Sequence, residues 1–491
     1  MRCFSRVAVS FESSSQAAGH PVRPLRVSNS LSVVLAATLG ALNAHADDST
    51  LTFYGVVDAA VATVQHSPSI SPTYVNSVNV PPAVKQTLPT QDSVNGMVNG
   101  ATQSSRWGIR GKESLSEDLA AVFTLESGIN LPTGQLSNGA ASLASNDYVK
   151  TSTGQVIGPN SSVSSNSSLS GQLFGREAVV GLVDRDFGKV TFGRQYQPIY
   201  DVLLSYDPVQ RAPLFSPLAG SGSYGGGLGI SDEQRVDNSI KYDGKFGPVT
   251  VGALKNFGGI AGHNGARSDW GVRLAYEDGG FGVAAAYERF TDGLKGASCS
   301  ATGSTVCLVT ALQSNVLAVT NYNDIGYLLA ARYKFASANL KAGFERYTLS
   351  RPSDPFASLN VTSYFGYAIG NPGTADFKGA DQATEIFWIG GDYQFTPKIN
   401  VAAAYFDVRS LRSADAVNGS TTVSPSGQFD GDQRYYSLLA QYSLSPRTAV
   451  YAGGLFIGFS GEQFTNANKG STSFLSYPSN RVLALGLRHT F

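Results

Sequence analysis

Charge is scarce in this 491-residue chain: Asp, Glu, Lys and Arg make up 15% of it, with 36 basic residues against 36 acidic. Nothing in that balance suggests a nucleic-acid partner. Cysteine occurs only at positions 3, 299 and 307, too few thiolates for a structural zinc site. Histidine is almost as rare, and beyond residue 46 only His66, His263 and His489 remain. No histidine cluster at metal spacing, Gly-x-Ser-x-Gly elbow or phosphate-binding Gly-Lys-Ser/Thr loop stands out, so the sequence points to no catalytic residue, metal or cofactor. Outside the first 46 residues no apolar run approaches the roughly 18 residues that a membrane-spanning helix needs. What the chain has instead is 54 Gly, 26 Phe and 23 Tyr.

The first residues read as an address. LSVVLAATLGALNAHA follows Arg23 and Arg26 and closes on Ala44-His45-Ala46, the basic flank, short apolar stretch and small-residue cleavage pattern of a secretory signal. Residues 1–46 are therefore expected to be cleaved, and residues 47–491 to form one domain. Removal leaves 32 basic and 35 acidic residues. In an exported chain the nearby pair Cys299 and Cys307 reads as a small loop disulfide.

From residue 51 onward one unit returns: about ten residues of alternating character, then a turn that is alternately tight and long. SDWGVRLAYE turns at DGG into FGVAAAYERF, and DIGYLLAARYKF turns at ASA into NLKAGFERYTL. The rhythm predicts sixteen strands in an up-and-down antiparallel meander, with eight long connections on one side and seven short turns on the other. Trp270, Val272, Leu274 and Tyr276 alternate with Asp269, Arg273 and Glu277, placing charge on one face and apolar bulk on the other. A lipid-facing sheet must satisfy every backbone group internally, so the strands are expected to close into a transmembrane β-barrel, and about sixteen of them leave an aqueous lumen for the charged faces. Closure would pair the terminal RVLALGLRHTF with LTFYGVVDAAV and hold Phe491 in the aromatic girdle at the edge with short turns.

Arginines inside strands are the informative polar residues. Arg106 and Arg110 share a face of QSSRWGIRGK, while Arg176, Arg194 and Arg235 lie in or beside other strands. On the lipid face near the bilayer midplane each would cost about 2–4 kcal/mol, so they are expected to line the lumen or snorkel at a rim. Each taken alone is equally well a solvated wall residue. The stretch 196–234 carries Ile199, Val202, Leu203, Leu204, Leu214, Phe215 and Leu218, unlike the polar stretches 134–172 and 410–432. It is expected to fold into the barrel, bringing Asp201 and Asp207 towards the arginines and setting a transverse field across the gap.

SSRWGIRGKESLSEDLAAVFTLESG, LFGREAVVGLVDRDFGKVTFGRQYQPIYD, RVDNSIKYDG and the terminal Phe together resemble the trimeric general porins of Gram-negative outer membranes, especially the β-proteobacterial type. The resemblance spans roughly residues 50–491. It implies a homotrimer with three pores, a third loop folded inward as the constriction, and passive diffusion of small hydrophilic solutes and ions. It also implies outer-membrane lipid and lipopolysaccharide around the barrel, and an assembly machinery that recognises Phe491. Arg106 and Arg176 fall on the family's basic wall positions, the third falls at Arg235 or two residues on at Asp237, and Asp201 and Asp207 open the acidic loop. Where many general porins carry Pro-Glu-Phe-Gly-Gly, this chain reads RAPLFSPLAG with Arg211 and no Glu, which implies a weak anion preference. A substrate-selective channel, an outer-membrane hydrolase and an adhesin remain the alternatives.

Overall fold

The structure is a computed structural model describing residues 49–70, 92–132, 134–136, 149–150, 156–157, 173–219, 235–259, 265–296, 316–354, 363–364, 367–376, 381–411, 431–461 and 475–491. The leader 1–46, the pair Cys299 and Cys307, and His263 lie outside the described residues. Among the described residues no helix is long and apolar enough to cross a membrane.

Sixteen wall strands follow one another around a closed antiparallel barrel. They are β1 Thr50–Ile70, β2 Arg106–Ser114, β3 Leu119–Asn130, β4 Glu177–Asp184, β5 Gly188–Tyr196 and β6 Arg235–Phe246. Next come β7 Val249–Asn256, β8 Ser268–Asp278, β9 Phe281–Gly296, β10 Val316–Phe335 and β11 Ala338–Ser350. The wall ends with β12 Gln382–Thr396, β13 Ile399–Leu411, β14 Gly431–Ser443, β15 Thr448–Gly461 and β16 Leu475–Thr490. Asp92–Asn99 extends the wall beside the outer half of β1, and Tyr367–Asp376 adds in parallel to the start of β10.

The seven short turns hold two to four residues each. Gly279 and Gly280 show why so few suffice: both have positive φ, 57° and 88°, the left-handed pair whose twist matches that of the flanking strands. Closure is made by β16 on β1, with Val56 opposite Thr490 and Val64 opposite Val482. Gly55 and Phe491 exchange N–H···O bonds of 3.0 Å in both directions, and the Phe491 ring lies 5.4 Å from that of Phe53. The chain end is therefore paired into the wall.

Alternation sets the two faces as the sequence predicts. Trp270, Val272, Leu274 and Tyr276 are exposed on the outside, as are Leu340, Leu483, Leu485 and Leu487. Asp269, Lys341, Glu345 and Arg273 lie on the inside. The inner face is not uniformly wet, however. Asp269, Glu288, Asp324 and Glu345 are all fully buried, where the sequence pattern had placed such charges in open water, because part of the lumen is filled by the chain itself.

Candidate functional site

The filling segment begins after β5. Pro198 opens a short helix, α1 (Pro198–Tyr206), at a position where its missing N–H costs nothing. Ile199, Val202, Leu203 and Tyr206 fall at the i, i+3, i+4 and i+7 spacing that makes one apolar stripe, and all four are buried. Pro208 cannot continue the helix, and Asp207 closes it by donating its N–H to the Leu203 carbonyl at 3.0 Å. Successive tight turns carry the chain on to a 3-10 turn at Pro217–Ala219.

This segment lies against the inside of the wall. Ile199, Val202, Leu203, Tyr206, Val209, Phe215 and Leu218 pack with inward residues Ala284, Leu328, Ala330, Trp388, Ala404 and Leu439 in one cluster. Each fully buried aliphatic or Phe side chain contributes about 1.5–3 kcal/mol to holding it there. The wall makes room with glycine: a Cβ on Gly390 would meet Pro208 at 2.8 Å and one on Gly453 would meet Phe215 at 2.6 Å. Wall side chains also satisfy the segment's backbone, since Trp388 Nε1 donates to the Tyr206 carbonyl at 3.1 Å and Lys341 Nζ to the Asp207 carbonyl at 2.8 Å. Ser437 Oγ donates to the Phe215 carbonyl at 2.5 Å, and Leu214 N–H to the Ala101 carbonyl at 3.1 Å. Tyr206 OH donates to Glu277 at 3.3 Å, and burial together with the Glu277 charge pushes it up to about 12, so it stays a donor.

Facing the segment are the wall arginines, and they do not form a bare positive strip. Glu126 on β3 sits between two of them, 2.7 Å from Arg176 Nε and 3.4 Å from Arg106 Nε. It also accepts from Tyr54 OH at 3.1 Å. Arg176 reaches Tyr196 OH at 2.8 Å. Arg110 faces the lumen on the same strand as Arg106, with its guanidinium 5.1 Å above the Tyr54 ring. Arg194 turns away from this group to Asp237 at 2.8 Å and the Gly175 carbonyl at 2.7 Å. Of the two positions considered for the third basic wall residue, Arg235 therefore stands with Tyr196 and Asp237 with Arg194.

A four-layer stack joins the segment to the wall. Arg211 lies 4.0 Å above the Tyr200 ring, Tyr200 stacks on Tyr196 with centroids 4.3 Å apart, and Arg235 lies 4.8 Å beyond Tyr196. Cations on both outer faces use the negative faces of the two rings. Gln210 and Arg211 both hold positive φ, 58° and 54°, and the Arg211 guanidinium donates to the Ala219 carbonyl at 2.7 Å.

The two loop carboxylates part company. Asp201 lies 2.6 Å from Lys241 Nζ and 3.5 Å from Arg273 Nε, and both cations also meet Asp243, at 3.8 and 2.7 Å. Asp207 does not face the arginines as the sequence suggested. It is fully buried and spans its own turn, accepting from Val209 N–H at 2.9 Å and from Ser216 Oγ. Burial raises its carboxyl above the ordinary value of 3.8, more than these hydrogen bonds and the charges of Lys341 and Arg211 lower it. Sequence reasoning missed Glu126, Lys241 and Asp243, and it placed Arg273 on the charged face of its strand without assigning it to the site. A signal was available in register: Arg106 pairs with Gly128, two residues from Glu126 on the same face.

A segment packed inside a sixteen-stranded barrel, with titratable groups facing it from the wall, defines the porin class of channel architecture. The family model described as Gram-negative porin matches residues 31–461, and the chain belongs to that family, spanning the outer membrane by its strands. An outer membrane porin protein of Bordetella pertussis (strain Tohama I) is 33% identical over 147 residues, which cover 30% of this chain and 29% of that protein. The match thus spans under a third of the relative's length. Among solved structures, the anion-selective porin from Comamonas acidovorans aligns with 90% of this chain and 100% of its own, at 19% identity and a TM-score of 0.54. The trimer form of OmpT, an outer membrane protein of Vibrio cholerae, aligns with 90% and 99% at 14% identity and a TM-score of 0.51. Both likenesses concern the fold.

Proposed function

We propose that this chain is a homotrimeric diffusion channel for small hydrophilic solutes and ions, with a weak preference for anions and no catalytic turnover. The observation that carries the reading is the segment 197–219 packed on one inner wall, with Arg106 and Arg110 open to the lumen and Arg176 and Arg235 buried where the segment meets the wall. Solutes then cross between a fixed loop and a wall rich in guanidinium groups. The preference is weak because the basic groups are largely paired. Arg106, Arg110, Arg176, Arg235, Lys241 and Arg273 outnumber Glu126, Asp201, Asp243 and Glu177, the first residue of β4 and a neighbour of Glu126, by only two. The trimer and the anion preference are in keeping with the trimer form of the Vibrio protein and with the anion-selective Comamonas porin.

Planar-bilayer conductance of the detergent-folded protein, with the reversal potential read under a salt gradient, tests it. Insertions in steps of three and a potential favouring chloride are expected. Folded barrels that do not conduct would overturn the channel reading, and a clear cation preference would overturn the selectivity.

A further inference from the structure

The side of the inward segment that faces the lumen carries almost no charge. Between Leu204 and Leu214 the only charged side chains are Asp207 and Arg211, and both are buried. Asp207 is held within its own turn, and Arg211 lies on the Tyr200 ring and the Ala219 carbonyl. What stands open instead is Leu204, 49% exposed, together with Gln210 and Pro213, while Leu214 is half-buried. Leu204 lies outside the stripe of Ile199, Val202, Leu203 and Tyr206 that seats α1 on the wall, so the turn of the helix carries it to the opposite side. Asp201, one turn before it, has its charge matched by Lys241 at 2.6 Å and Arg273 at 3.5 Å.

Guanidinium groups border the same stretch of lumen. From Tyr200, one helical turn before Leu204, a chain of short contacts leads to the wall. Tyr200 stacks on Tyr196 at 4.3 Å, Tyr196 OH lies 3.5 Å from Glu126, and Glu126 lies 3.4 Å from Arg106. Arg106 keeps 26% of its side chain exposed, and Arg110 is open on the same face of β2. Arg176 and Arg235 are buried, so Arg106 and Arg110 are the wall arginines of this group that a solute meets. The lumen here is thus basic on one side and uncharged, in part apolar, on the other.

We propose that this stretch of lumen is a binding site for small amphiphilic anions, in which a ring or branched hydrocarbon body lies on Leu204 and its carboxylate reaches Arg106 or Arg110. The inference rests on the channel reading above and names a solute class for it. Hydrated ions gain nothing from an open leucine, whereas an apolar body laid on it removes both surfaces from water. A guanidinium offers planar, paired donors that match a carboxylate, and it remains charged at any relevant pH. A hydrophilic anion of equal charge meets only the arginines, and an amphiphilic cation meets only the leucine. An acidic loop tip would repel the carboxylate, and RAPLFSPLAG supplies no acid.

The test measures block of the potassium chloride current through the folded full chain in a planar bilayer by three probes: 3-phenylpropionate, gluconate and 3-phenylpropylammonium. Half-block by 3-phenylpropionate is expected at a concentration about five-fold below that of either other probe. Leu204→Asn should bring 3-phenylpropionate to the level of gluconate, and Arg106→Gln should bring it towards that of the ammonium probe. Glu117→Gln, on a short turn outside the lumen, should keep the difference. Equal block by 3-phenylpropionate and gluconate in the unaltered chain overturns the proposal even if Leu204→Asn does not fold. Block by the ammonium probe as strong as that by 3-phenylpropionate overturns it too, as does an undiminished preference in a conducting Leu204→Asn variant. Folded barrels that carry no current defeat the channel reading, whereas current without discrimination among the probes defeats this inference alone.

Discussion

On the proposed reading of the channel, Glu126 sets how much of the arginine charge a passing ion experiences, because it lies within 3.4 Å of both Arg106 and Arg176. A unit charge about 5 Å from an ion path in a water-like medium is worth about 0.8 kcal/mol before screening by salt. Glu126→Gln should therefore raise the chloride-to-potassium permeability ratio by about two- to four-fold, read as a shift in reversal potential; an unchanged potential would place Glu126 away from the ion path. The two loop aspartates give opposite expectations. Asp201→Asn releases Lys241 and Arg273 and should move selectivity the same way as Glu126→Gln, while Asp207→Asn, buried in its own turn, should leave it alone. Asp207 also carries a pH dependence. Its folded-state pKa is raised above 3.8, so the folded chain holds the proton more tightly than the unfolded one. Stability then falls as pH rises from the unfolded value through the folded one. Acidification towards pH 4 should make the loop harder to displace, and Asp207→Asn should flatten that slope in thermal unfolding followed by gel mobility. A slope equally steep in the variant would assign it to other carboxylates.

At the scale of elements, the wall was legible and the loop's seat was only half so. Strand count, order and facing follow from alternation and turn spacing, which are local, and the structure repeats them from LTFYGVVDAAV to RVLALGLRHTF. The inward fold of 196–219, the described part of the stretch 196–234, could be read from its apolar residues, because exposed Ile199, Leu203 and Phe215 would have been costly in water. Where those residues land was not legible, since it depends on contacts between positions far apart, such as Phe215 on Gly453 and Leu214 on Ala101. Nor could composition show that Asp207 turns inward, because the Val209 and Ser216 donors that hold it come from the turn itself. The glycine seats give a direct test. Gly453→Leu puts atoms where the Phe215 ring lies, at a cost of about 1–3 kcal/mol, and should shift single-channel conductance while the sixteen strands still form. Conductance equal to that of the unaltered chain would mean that the loop tip does not set the aperture. Asp58 on β1 anchors the other end of this contact. It accepts from Thr102 N–H at 3.0 Å, Gln103 N–H at 2.7 Å, Thr102 Oγ1 at 2.5 Å and Tyr451 OH, holding the turn whose Ala101 carbonyl receives Leu214. Each buried donor left without a partner costs about 1–3 kcal/mol. Asp58→Ala should therefore lower the unfolding temperature and also make the open-channel current noisier, because the loop tip loses its support.

At the scale of the whole molecule, closure is what makes the wall possible, and the last residue finishes the seam that closes it. A membrane barrel admits no free strand edge, and here β16 lies against β1 along the length from Thr490 to Leu475. Phe491 finishes the seam with two backbone hydrogen bonds to Gly55 and a ring against Phe53. Those contacts are modest. Two net backbone hydrogen bonds are worth about 1–3 kcal/mol, and the half-exposed ring adds less than a fully buried one would, against a seam of more than a dozen paired residues. Loss of Phe491 should therefore cost the folded barrel little once it exists. If the residue is also read by the assembly machinery, as the family resemblance implies, deletion should cost far more in the cell than in detergent. The expected result is a small fall in unfolding temperature for purified, refolded protein lacking Phe491, together with a many-fold fall in folded barrel recovered from the outer membrane. Equal small losses in both settings would leave Phe491 as a seam residue alone. Equal large losses would mean that the seam cannot close without it, and the recognition role would lose its support.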